Sequence, residues 1–103
     1  MAWLRLTLAT PLPGQGPELK RLLGNLENAV VSQPGYLMGG VFTSAQNSGE
    51  MGRFSIWRTS EDADRASSLE EVIALRSQIN GLVLPGHFEH LHEISGTSHN
   101  VPQ

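Results

Sequence analysis

Residues 33–59 read QPGYLMGGVFTSAQNSGEMGRFSIWRT, and this stretch decides the fold. Two apolar runs, Tyr36–Phe42 and Met51–Trp57, flank a polar connection, Thr43–Glu50, that contains Gly49. Such runs, bounded by turn residues, predict two antiparallel strands joined by a loop. Pro34–Gly35 stops whatever precedes the first strand. Thr59-Ser60-Glu61-Asp62 follows the second strand closely and fits a capping box opening a short helix that gives out near Ser67.

Upstream, Trp3–Ala9 alternates, with Leu4, Leu6 and Leu8 on one face and Trp3, Arg5 and Thr7 on the other, the period of a strand. Prolines 11, 13 and 17 and glycines 14 and 16 break regular structure, and Pro17 suits the first position of a helix. Glu18–Ser32 carries Leu19, Leu22, Leu23, Leu26 and Val30 as one buried stripe. Lys20, Arg21, Glu27 and Asn28 are expected mainly on the solvent side. Gly24 lowers helix propensity and suggests a close helix–sheet approach. Downstream, Ser68-Leu69-Glu70-Glu71 reads as a second capping box, opening a helix to about Asn80 with Gly81 as its C-terminal cap. Phe88–Ile94 is a last strand.

The order is strand, helix, strand, strand, helix, strand. It predicts a ferredoxin-like α+β fold, a four-stranded antiparallel sheet with its helices on one face. Residues 1–95 form one expected domain, and residues 96–103 a polar tail. Both strand faces are apolar. Leu4, Leu6, Leu8, Phe54, Ile56, Leu37 and Val41 make one set; Trp3, Tyr36, Met38, Phe42, Met51 and Trp57 make the other. A single sheet covered on one side should present a polar outer face, so a second copy of the chain, a homodimer, is the expected second cover.

Composition narrows the function. The chain has 103 residues, 39% hydrophobic and 17% charged, with a net charge of −3. There is no basic footprint for nucleic acid or an anionic membrane surface. No cysteine is present, which excludes disulfides, thiolate metal sites and a cysteine nucleophile. No apolar stretch is long enough to span a bilayer, so a cytoplasmic protein is expected. Motifs for phosphate, dinucleotide, zinc-protease and serine-hydrolase chemistry are missing.

Three groups of residues can carry chemistry. On a helical wheel, Leu69, Val72, Leu75 and Ile79 define a buried arc, and Arg76 falls inside it. Arg76 either pairs with a carboxylate such as Glu89 or Glu93, snorkels to the helix edge, or lines a pocket as a fixed cation. Trp57 shares a strand face with Arg53 and Ser55, which is core or one wall of an amphipathic cavity for a flat ligand. His90 and His92 share a face of the last strand. They lack a third metal ligand at recognisable spacing and are available as bases near neutral pH.

The PGYLMGGVF strand, the FSIWRTSEDA junction and the ALRSQI segment resemble the antibiotic biosynthesis monooxygenase-like family over about residues 4–94. The resemblance implies a dimeric α+β barrel. It also implies, for the oxygenases, oxidation of phenols to quinones without metal or flavin. Trp57 matches the family's tryptophan closing the third strand, and Arg76 its arginine on the second helix. The chain departs from the pattern at Arg53, where an asparagine is expected, at Phe42, where a histidine is expected, and at Ala63, where a tyrosine is expected. The haem-degrading branch needs a tryptophan and a histidine on the helix Leu69–Asn80, which has neither. The implied site takes Trp57, Arg76 and Arg53 as catalytic residues, with Tyr36, Phe42, His90 and His92 around a small aromatic, quinol-type substrate. A non-catalytic ligand-binding or stress-associated barrel, and an isomerase or lyase using a histidine base, are the alternatives on the same scaffold.

Overall fold

A computed structural model describes residues 1–46 and 49–95. The expected polar tail, 96–103, lies outside the described residues. Strand β1 (Ala2–Ala9) leads through α1 (Gly16–Val30) into the hairpin β2 (Tyr36–Thr43) and β3 (Met51–Trp57). Helices α2 (Ser60–Ser67) and α3 (Glu70–Asn80) follow, and β4 (Phe88–Ile94) closes the order. The four strands form one antiparallel sheet in the order β2-β3-β1-β4. This is the ferredoxin-like βαββαβ arrangement, with its second helical segment split in two.

The helices cover one sheet face. Leu19, Leu22, Leu23, Leu26 and Val30 of α1 are fully buried there with Ala63, Ala66, Val72 and Ile79. The sheet contributes Ala9, Met51 and Trp57 to this core, with Trp3, Tyr36 and Val41 packed against it. The other face carries Leu4, Leu6, Leu8, Phe54 and Phe42, all only partly buried, and Met38, which is 49% exposed. Among the described residues nothing of this chain covers it.

Strand β2 differs from its expected register. A β-bulge falls between Tyr36, opposite Trp57, and Met38, opposite Ile56. A bulge adds one residue and reverses the alternation beyond it. Tyr36 and Val41 therefore lie under the helices, and Met38 and Phe42 face outward. Strict period-two spacing assigns Val41, Met38 and Phe42 to the opposite faces.

Helix ends show which hydroxyls cap. Thr59 is the N-cap of α2, its Oγ1 accepting from the Asp62 N–H at 3.1 Å. Ser68 does not open α3; Leu69 holds that position without a side-chain bond. The Ser68 hydroxyl points backward and donates to the Asp64 carbonyl at 3.0 Å, ending α2 instead. With only Ser68 and Leu69 between the helices, one serine cannot serve both termini. Gly24 marks no close approach, since a side chain there would meet open space.

Candidate functional site

Polar side chains are concentrated where the sheet meets the helices. Register places Arg53, Thr7 and Glu89 in one row across β3, β1 and β4. The adjacent row holds Ser55, Arg5 and Leu91. All lie on the helix-covered face, because β1 presents its odd-numbered residues inward.

Arg53 is 3% exposed. Its Nη1 is 3.3 Å from Glu27 Oε1, and its Nε has no hydrogen-bond partner. Glu27 is itself buried on α1 and accepts a short hydrogen bond from the Tyr36 hydroxyl. The expectation of Glu27 on the solvent side is therefore corrected. Glu27 sits four residues after Leu23 and three before Val30, inside the buried stripe, and that spacing was the available signal. Gly39 makes room for it: a side chain there would overlap the Glu27 carboxylate and approach the Phe54 carbonyl oxygen to 2.5 Å.

Burial sets the electrostatics of this triad. Desolvation raises the Glu27 carboxyl above its ordinary value, against the lowering effects of the Tyr36 bond and of Arg53. Burial, with the Glu27 acceptor added, raises the Tyr36 phenol well above its usual range, so it stays a donor. Desolvation also lowers Arg53, partly offset by Glu89 and Glu27.

Trp57 is buried, its Nε1 donating to Ser55 Oγ at 2.8 Å. The Tyr36 ring meets it edge-on at 5.6 Å. The cavity beside Trp57, bordered by Arg5, Arg53 and Glu89, measures about 10 Å³. That is room for roughly one water, so the Arg53–Ser55–Trp57 face is packed rather than an open amphipathic cavity.

A larger cleft, about 220 Å³, opens beside it under α3. Leu26 and Ile79 form an apolar wall, Thr7, Arg76 and Glu89 form a polar one, and Phe88 borders the cleft at the start of β4. Asn80 and His87 stand at the same cleft, with His87 Nε2 3.0 Å from Asn80 Oδ1. Arg76 meets the pairing expected from the wheel: its Nε is 3.6 Å from Glu89 Oε2. Its Nη1 also donates to the Ser67 carbonyl at 3.3 Å. Glu89 borders both spaces and ties the packed layer to the cleft.

The structure brings Trp57, Arg53, Tyr36 and Arg76 to the helix-covered side. It does not bring Phe42, His90 and His92 there. Register pairs His90 with Leu6 and His92 with Leu4, and Phe42 with Gly52, all on the uncovered face. The His90 ring lies tilted at 4.6 Å from Phe88 and 6.0 Å from His92. The imidazole at the cleft is His87, one residue before β4. Among the described residues no group of three or more metal-ligating side chains converges. Among the described residues no helix is long and apolar enough to cross a membrane.

No protein-family model matches the chain, and no curated protein matches it by sequence. Solved structures do match. Rv0793 from Mycobacterium tuberculosis superposes with a TM-score of 0.84 at 16% identity, over 96% of this chain and 100% of that one. A candidate antibiotic biosynthesis monooxygenase from Deinococcus radiodurans gives 0.81 at 17% identity, over 100% of both chains. SnoaB, a cofactor-independent oxygenase from Streptomyces nogalater, gives 0.79 at 12% identity, over 93% of this chain and 95% of that one. At such identities the likeness is one of fold. The chain thus has the fold of the antibiotic biosynthesis monooxygenase-like proteins, a ferredoxin-like α+β sheet with its helices on one face.

Proposed function

We propose that the chain is a monooxygenase that oxidises a small aromatic, quinol-type molecule without metal or flavin, in the cleft under α3. The observation that carries this reading is the placement of Arg76. A guanidinium 38% exposed borders a cleft with an apolar wall, so a flat ring can pack while its oxygen meets a fixed cation. The fold shared with SnoaB, a cofactor-independent oxygenase, supports the same reaction class.

The chemistry follows from charge. A phenol must lose its proton before the ring can give electrons to dioxygen. Arg76 stabilises the phenolate and then the superoxide or peroxide charge that develops on oxygen, and water displaced from the cleft by the bound ring makes that stabilisation larger. His87 is the base within reach of the cleft, in place of His90 and His92. One oxygen atom ends on the ring carbon and the other leaves as water. The phenolic O–H and the displaced ring C–H supply the two hydrogens of that water, and the four electrons that dioxygen accepts come from the phenol as it becomes the quinone. Trp57 and Arg53 form the layer behind, with Arg53 acting through the field at Glu89 and Tyr36 holding Glu27.

Oxygen uptake with a panel of hydroquinones tests the reading. Arg76→Met keeps approximate volume and removes the charge, so uptake falls to background while the far-ultraviolet circular dichroism is unchanged. No uptake with any hydroquinone sinks the oxygenase reading. Thermal stabilisation by a hydroquinone without uptake indicates a binding protein on the same scaffold.

The uncovered apolar face supports a homodimer in which two sheets pack face to face, placing Leu6, Phe54 and Phe42 at the interface. A monomer mass by light scattering at micromolar concentration contradicts it. A chain without cysteine suits the reducing cytoplasm as its compartment.

A further inference from the structure

Glu89 is surrounded by cations and held by none of them closely. Its Oε1 is 3.9 Å from Arg5 Nε, and its Oε2 is 3.6 Å from Arg76 Nε. Charge-assisted hydrogen bonds between guanidinium and carboxylate run at about 2.7–2.9 Å. The nearest donor is neutral, the Thr7 hydroxyl at 3.3 Å. Arg53 stands in the same cross-strand row and feels the Glu89 charge.

The arginines have donors to spare. A guanidinium carries five N–H groups. Arg76 donates to the Ser67 carbonyl, and Arg5 reaches outward to Asp64, which is exposed. Arg53 spends one side on Glu27, while its buried Nε has no partner. Three guanidiniums thus face a buried carboxylate, Glu27, and a partly buried one, Glu89, and the cavity beside Arg53 and the cleft beside Arg76 share Glu89 as their wall.

We propose that Arg5, Arg53 and Arg76 form an anion-binding site which the Glu89 carboxylate occupies in the free protein, and that the cleft's ligand is a small aromatic carboxylate which displaces it. A planar carboxylate replaces Glu89 like for like and can approach Arg76 in the bidentate geometry that Glu89 does not reach. Its ring then lies against Leu26 and Ile79. The cleft's 220 Å³ falls below the usual span of drug-sized sites, about 300–1,000 Å³, which favours one or two rings over a larger polycycle. Glu89 acts as an internal competitor, lowering affinity for every anion while leaving neutral aromatics unaffected.

The inference rests on the same cleft as the proposed function, but not on its oxygen chemistry. The probe is sodium benzoate, with benzyl alcohol as its neutral counterpart, followed by titration calorimetry on the full chain in chloride-free buffer. Glu89→Gln keeps the shape and removes the competing charge. Benzoate is expected to bind this variant about tenfold more tightly than the parent, the worth of one charged hydrogen bond. Adding Arg76→Met to the variant should cancel the gain, and benzyl alcohol should not distinguish the proteins. Thr7→Val, which releases the hydroxyl tether on Glu89, should raise benzoate affinity by a smaller factor and serves if Glu89→Gln does not fold. Equal benzoate affinity in parent and variants overturns the proposal, as does benzyl alcohol binding as tightly as benzoate. A protein that binds benzoate yet consumes no oxygen with hydroquinones keeps this site and loses the oxygenase reading. Oxygen uptake without a benzoate gain does the reverse.

Discussion

Replacing Glu27 with Leu isolates what the buried triad contributes. The substitution leaves a guanidinium, 3% exposed, without its carboxylate, and the Tyr36 hydroxyl without its acceptor. Breaking a buried ion pair by deleting one partner costs about 3–5 kcal/mol. The orphaned phenol adds about 1–3 kcal/mol. At about 4–8 °C per kcal/mol for a domain of this size, even the lower figure moves Tm down by more than about 12 °C. Arg53→Met should be milder, about 1–3 kcal/mol, because the carboxyl left behind can neutralise itself by holding a proton, whereas arginine cannot shed one. The double variant Glu27→Leu/Arg53→Met removes both charges and fills their space with apolar atoms. It should recover at least about 2 kcal/mol relative to Glu27→Leu alone, since the desolvation cost of the pair disappears with it. Urea denaturation of the four proteins closes the cycle. Additive losses, with the double variant no more stable than Glu27→Leu, would refute the reasoning: the two side chains would then be close without being coupled.

Other outcomes follow from the same geometry. Burial raises the Glu27 carboxyl above its ordinary value of 4.5, so its stabilising contribution is complete below that value and declines as pH rises through the raised one. Measured against Glu27→Gln, the parent should lose relative stability as pH rises above about 4.5, and a difference that stays flat or grows contradicts the assignment. Gly39→Ala places a methyl group against the Glu27 carboxylate and the Phe54 carbonyl; a loss of about 1–3 kcal/mol is expected by thermal denaturation, and a neutral result contradicts the close approach of β2 to β3 and α1 at this position. Leu6→Glu puts a charge at the middle of the uncovered face. On the proposed homodimer it should halve the mass seen by light scattering while the circular dichroism spectrum is retained.

Most of the fold was legible before the structure, because it is written in local periodicity. The stretch from Gln33 to Thr59 marks a hairpin by its two apolar runs. The α1 stripe and the Thr59 cap are equally local, and each maps to an observed element. Trp57 and Arg76 were placed from strand alternation and a helical wheel, and the pairing of Arg76 with Glu89 was among the expected outcomes. What misled was also local. The bulge after Tyr36 has no signature in an apolar run, yet it moves Val41 inward and Met38 and Phe42 outward. Ser68 fits a cap by spacing, but two adjacent helices compete for it.

By itself the sequence determined the order of elements, their amphipathic faces and the presence of two apolar sheet surfaces. These depend on residues a few positions apart, whose spacing decides which way each side chain points. Only the tertiary structure decided which groups meet. Arg53 and Glu27 are 26 residues apart and Thr7 and Glu89 are 82 apart. No periodicity encodes these distances, since they depend on strand order, register and the seating of α1 and α3 over the sheet. That seating buries Glu27, closes the space beside Trp57 and moves the available cleft to Arg76, Glu89 and His87. It also leaves His90 and His92 on the far side, because one residue of register decides which face a side chain occupies.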